Sequence, residues 1–135
     1  MRSALARGIA LAALALMLAL TGACATTETI KQTRGDGSKR LYPHDAKAVH
    51  AAVLATAKAK DLQIVEGGTD SLVLSHGVSW RSFGERIAVF IRSISPRLTE
   101  VEVVSKPVFG TWNFPRDWEI AVLDGVGRSV RDGQN

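Results

Sequence analysis

The chain has 135 residues, a single cysteine, and 17 basic residues against 13 acidic ones. That length supports one hydrophobic core and not two. Arg2 and Arg7 lie in an apolar leader, so from Cys24 onward 15 basic residues meet 13 acidic ones. This balance is too close to neutral to read as nucleic-acid binding.

Residues 1–23 have the parts of a secretory signal peptide. Arg2 and Arg7 form a basic start, Ile9 to Leu20 carries no polar residue, and Gly22 and Ala23 are small. The apolar run falls short of the roughly 20 residues that span a bilayer. Leu20-Thr21-Gly22-Ala23-Cys24 resembles the lipobox of bacterial lipoproteins, with Thr21 where leucine is commoner. The resemblance implies cleavage between Ala23 and Cys24, a diacylglyceryl group on the Cys24 thiol, and a fatty acid such as palmitate on the new amine. Ala25 in place of aspartate after the cysteine implies sorting to the outer membrane, facing the periplasm, rather than retention at the inner membrane. One acyl chain binds a membrane reversibly, whereas two or more anchor it stably. With Cys24 lipidated no thiol remains, so the domain is expected to be held by packing and not by disulfides.

Residues 24–40 are expected to form the lipidated cysteine and a flexible tether, because Gln32 to Ser38 is small, polar and glycine-rich. A single domain is expected over 41–131, with a polar tail at 132–135. Lys39 to Tyr42 reads as a short first strand. Asp45 suits a helix N-cap, and Ala46, Val49, Val53 and Ala57 then recur at helical spacing. Leu54 falls on the shoulder of that stripe. Strand patterns follow at Leu62–Glu66, Ser71–Ser79, Glu85–Ile94 and Thr99–Ser105, divided by Gly67-Gly68, Arg81 to Gly84 and Ser95 to Leu98. Leu72, Leu74, His76 and Val78 share one face, as do Ile87, Val89 and Ile91, and Val101 and Val103. The opposite face, with Val73, Arg86, Phe90, Arg92, Glu100 and Glu102, is expected to be wet, with Arg92 opposite Glu102. A last helix starts at Asp117 and places Trp118, Val122, Val126 and Ser129 together. Gly125 and Gly127 weaken it by about 1 kcal/mol each unless close packing requires them.

The fold expected is α+β: an antiparallel meander of four to five strands with two helices packed on one face. The helix Ala46–Lys60, the strand start Thr99-Glu100-Val101 and Val108-Phe109-Gly110 resemble landmarks of a family of small bacterial outer-membrane lipoproteins without an assigned activity. The architecture also resembles the helix-grip domains of the lipoprotein BamC, a part of the outer-membrane β-barrel assembly machinery. The stretch Trp112-Asn113-Phe114-Pro115 departs from the family pattern.

His44, His50 and His76 are too scattered to hold a metal, and no carboxylate or cysteine cluster has ligand spacing. His76 reads as a core or sheet-end histidine, since spacing implicates no nucleophile for it to serve. No cofactor is expected, nor an enzyme. The suggestive residues are aromatic and basic: Trp80, Arg81 and Phe83 at one turn, Trp112 and Phe114 before the last helix. They either close the open end of a small core or form partner contacts, for which tryptophan and arginine are common anchors. The function expected is a lipid-anchored, non-enzymatic envelope interaction or scaffold module, joined to the membrane through Cys24 and to an envelope protein partner. The alternative is a periplasm-facing carrier of a small amphiphilic ligand. Replacement Cys24→Ala is expected to give a protein neither acylated nor cut at this site. Equal incorporation of labelled fatty acid into wild type and variant would count against it.

Overall fold

The computed structural model describes residues 26–77, 84–108 and 117–133. The elements in chain order are α1 (Thr27–Lys31), β1 (Ser38–Tyr42), α2 (Ala46–Ala59), β2 (Gln63–Gly67), β3 (Ser71–His76), β4 (Glu85–Ser95), β5 (Leu98–Pro107) and α3 (Trp118–Asp132). All five strands join one antiparallel sheet in the order β1-β5-β4-β3-β2. The fold is therefore α+β, with α2 and α3 laid over one sheet face.

The helices start where their caps dictate. Asp45 accepts a hydrogen bond from the Ala48 N–H at 2.9 Å, and Asp117 accepts one from Ile120 at 3.2 Å. Each satisfies a backbone donor that the first turn leaves without a partner. At its end α2 turns through Asp61 at φ 53°, a left-handed conformation that aspartate tolerates better than bulkier residues do. Leu62 then donates its N–H to the Ala57 carbonyl at 2.9 Å and enters the core.

The main core lies between the two long helices and the sheet. Val49, Val53 and Ala57 of α2 and Trp118, Val122 and Val126 of α3 meet Leu72, Leu74, Ile87, Val89, Ile91, Val101 and Val103. Alternation along each strand brings these side chains to one face. Tyr42 reaches under α3 from β1, and its hydroxyl donates to the Leu123 carbonyl at 2.6 Å. Burial pushes the Tyr42 phenol up to about 12. Beside it Arg40 donates to Asp124 at 2.6 Å, and this contact holds the Asp124 carboxyl below its usual range.

Three expectations need correction. Residues 26–40 are not a flexible tether: they form α1, a turn and the start of β1. The second sheet face is not simply wet, because Ile30, Val73, Ala88, Phe90 and Val104 form a second buried cluster on it. Arg92 pairs with Glu100, its Nη2 3.0 Å from the carboxylate, and Phe90 is the residue opposite Glu102. A register shift between Ser93 and Ser95 produces that pairing.

Helices α2 and α3 approach closely at Gly125, where an added Cβ would run into the Thr56 methyl group. Gly125→Ala is therefore expected to lower unfolding stability by about 1–3 kcal/mol through overpacking, despite the helix propensity it gains. Combining it with Thr56→Ser, which removes that methyl, should recover much of the loss. Denaturant titration of the two variants checks this, and a stabilising Gly125→Ala would contradict the close approach.

Candidate interaction surface

The sheet face turned away from the long helices has its own cover. α1 opens with a reciprocal cap: the Thr29 N–H donates to Thr26 Oγ1 at 3.2 Å, and the Thr26 N–H donates to Thr29 Oγ1 at 2.8 Å. Such a cap stabilises a short helix that propensity alone would not sustain. The helix presents Ile30, 1% exposed, to Val73, Ala88, Phe90 and Val104. Lys31 forms ion pairs with Glu28 and with Glu66 of β2. These contacts, that with Glu66 foremost, raise the affinity of the lysine for its proton. The Arg34 guanidinium lies over the Phe90 ring, 4.8 Å from its centroid, in cation–π range.

The turn after α1 is held by carboxylates from both sides of the sheet. Glu102, 5% exposed, accepts from the Gly35 N–H at 2.5 Å and the Gly37 N–H at 3.1 Å, and Lys39 Nζ lies 4.0 Å away. From the helical side, Glu119 of α3 accepts from the Ser38 N–H at 3.1 Å and the Ser38 hydroxyl at 2.6 Å. Its other oxygen takes the Ser105 N–H at 3.2 Å. Glu102, the buried one of the two, thus has both carboxylate oxygens engaged, as a polar group removed from water requires.

One cross-strand row on the α1 face is basic. Arg86 of β4 stands between Ser75 of β3 and Lys106 of β5. Its Nη1 donates to Ser75 Oγ at 2.5 Å, while its buried Nε has no hydrogen-bond partner. Among the described residues neither Arg86 nor Lys106 is in an ion pair. Like charges directly opposite each other on a sheet destabilise it.

Cys24 and Ala23 lie outside the described residues, and so do Trp80, Arg81, Phe83, Trp112 and Phe114. The residues flanking the two aromatic segments do come together. His76 pairs with Glu85, Glu85 pairs with Pro107, and the His76 and Trp118 rings are 4.9 Å apart. Residues 78–83 and 109–116 thus attach at one end of the sheet. His50 hydrogen-bonds the Gly68 carbonyl at 2.9 Å. Among the described residues no group of three or more histidine, cysteine or carboxylate side chains is placed to hold a metal, and no helix is long and apolar enough to cross a membrane. A groove of about 490 Å³ lies outside the helix pair, between the alanines of α2, Pro43, Arg97 and the end of α3.

No protein-family model matches the chain, and no curated protein does. Among solved structures, the crystal structure of Ara h 8.0201 is similar to it, with a TM-score of 0.36 and 10% identity over 71% of this chain and 93% of that one. So distant a likeness does not bear on what the chain does.

Sequence reasoning missed Ile30 and Arg34, and it placed Arg86 on the outward face without finding Lys106 opposite it. The available signal was that Val73, Phe90 and Val104 all fell on the supposedly solvated face, which apolar residues of that size leave uncovered only rarely. Ile30→Ala is expected to lower stability by about 2 kcal/mol or more, whereas Ile64→Ala, at a site 50% exposed, should cost about 0.5 kcal/mol or less. Equal effects in a denaturant titration would return residues 26–34 to the status of a tether.

Proposed function

We propose that the chain is a bacterial lipoprotein, anchored through Cys24 to the outer membrane and facing the periplasm, and that its domain is a non-enzymatic interaction module of the envelope. The observation that carries this reading is the junction of the two parts. An apolar leader ends in Leu20-Thr21-Gly22-Ala23-Cys24, and the Thr26 cap of α1 lies two residues further on. Export, acylation and a folded domain then follow one another without a spare segment.

The interaction role draws on the sheet end. Two segments rich in tryptophan, phenylalanine and arginine, residues 78–83 and 109–116, are joined in sequence to flanking residues that lie together: His76, Glu85, Pro107 and Trp118. Such residues supply most binding energy in protein interfaces. The carrier reading has less behind it. The described interface between helices and sheet is filled by side chains that are fully buried, among them Val49, Val53, Val89, Val101 and Val103, whereas small-molecule sites are roomy concavities.

Crosslinking in intact cells tests the module reading. Trp80→Ser and Trp112→Ser, made separately, are expected to remove a crosslinked neighbour while leaving fatty-acid labelling unchanged. If both variants only lower the melting temperature and every neighbour persists, the aromatic residues serve the core and this reading fails.

A further inference from the structure

Taking Cys24 as the lipid anchor, we infer that the sheet face carrying α1 is the membrane-apposed side of the domain, set against anionic phospholipid headgroups by Arg34, Arg86 and Lys106. The inference rests on the lipoprotein reading and adds an orientation to it.

The first argument is the length of the leash. Thr26 is committed to the α1 cap, and Ile30 is locked into the second cluster four residues on. Cys24 is only two residues before Thr26. A fully extended chain spans at most about 3.6 Å per residue, so the anchored residue is held within about 7 Å of the cap. A tether of 16 residues would have left the domain free to tumble; two residues do not. The part of the domain nearest the lipid is α1 and the strands beneath it.

The second argument is the charge on that face. The carboxylates of its strands are engaged: Glu66 with Lys31, Glu100 with Arg92, and Glu102 with Lys39 and two backbone N–H groups, while Asp36 in the turn after α1 is exposed and in no ion pair among the described residues. Arg34, Arg86 and Lys106 are left without a carboxylate partner among the described residues. Arg86 and Lys106 stand one same-face position along their strands from Ala88 and Val104, which share the second cluster with Ile30, so these cations adjoin the patch that α1 covers. Headgroup phosphates would also relieve the Arg86–Lys106 opposition. Leu41 of β1, 54% exposed, faces the same way, since its register partner is Glu100. The outer side of α2, with Lys47, Ala51 and Lys58, points away from the bilayer.

Fluorescence quenching tests the orientation on the full acylated protein. A probe is placed at Leu41→Cys, with Gln63→Cys as a second position on the same face, and at Ala51→Cys on the outer side of α2. The proteins are reconstituted into phosphatidylcholine vesicles, with or without phosphatidylglycerol, that carry a headgroup quencher. Probes at 41 and 63 should lose most of their emission and the probe at 51 little. Phosphatidylglycerol should widen the difference, and Arg86→Gln with Lys106→Gln should cancel that widening. Equal quenching at 41, 63 and 51 in anionic vesicles overturns the orientation. A widening that survives the double replacement overturns the role of the two cations. The intact mass of the same preparations reports the anchor separately: an unmodified Cys24 removes the lipoprotein reading and the orientation together.

Discussion

The burial of Ile30 is the contact on which the arrangement of this domain depends. Strands β3, β4 and β5 are apolar on both sides: Leu72, Ile87 and Val103 look toward the long helices, while Val73, Ala88, Phe90 and Val104 look the other way. A sheet of that kind requires two covers, because apolar surface left in water costs about 25 cal/mol per Å². The long helices cover one side. A five-residue helix near the start of the described chain covers the other. Helices this short are not stable alone, so α1 exists because the sheet offers Ile30 a site, and the patch of Val73, Ala88, Phe90 and Val104 on the second face is dry with α1 packed on it.

That mutual dependence is reinforced by two carboxylates working from opposite sides of the sheet. Glu102 holds the N–H groups of Gly35 and Gly37 on the α1 side, and Glu119 holds Ser38 on the helical side. The turn that leads from α1 into β1 is therefore gripped by a strand residue and by the first turn of the last helix. Chain ends that are far apart in sequence become one structural unit. Displacing α1 would loosen Glu102, and with it the pairing of β1 along β5. This is the physical sense in which residues 26–38 belong to the domain.

Local signals carried most of the sheet and both long helices. Asp45 and Asp117 announced their helices because capping chemistry is contained within four residues. Leu72 and Leu74, Ile87 to Ile91, and Val101 and Val103 announced their strands because alternation is a nearest-neighbour pattern. What escaped was long-range. The pairing of β1 with β5 joins residues about sixty apart, and the register of β4 on β5 turns on an irregularity near Ser93 that no pattern flags. α1 escaped for a different reason. Its composition is that of a linker, and only its single isoleucine reports a fold. The burial of Ile30 depends on strands that come forty and more residues later, which no reading of residues 25–40 by themselves supplies. The anchoring and aromatic residues, Cys24, Trp80, Arg81, Phe83, Trp112 and Phe114, were legible as chemistry, but they lie outside the described residues, so their role rests on composition and on where their neighbours stand.

With both sheet faces covered, the surfaces left for a protein partner are few. The β2 edge is exposed throughout and bears Ile64 and Val65, yet a bulge between Ile64 and Glu66 breaks its regularity, and Glu66 is drawn into an ion pair with Lys31. Bulges and charges are the usual guards of an open edge. The groove outside the helix pair has a wall of alanines along α2, Ala48, Ala51, Ala52 and Ala55, which gives a partner little to grip there. By contrast, the sheet end at His76, Glu85, Pro107 and Trp118 is where two aromatic, arginine-bearing segments attach. Were the domain held to a bilayer by its second face, Arg86 and Lys106 would lie one residue from that end, beside Glu85 and Pro107, so the orientation and the interaction reading would bear on adjoining parts of the surface.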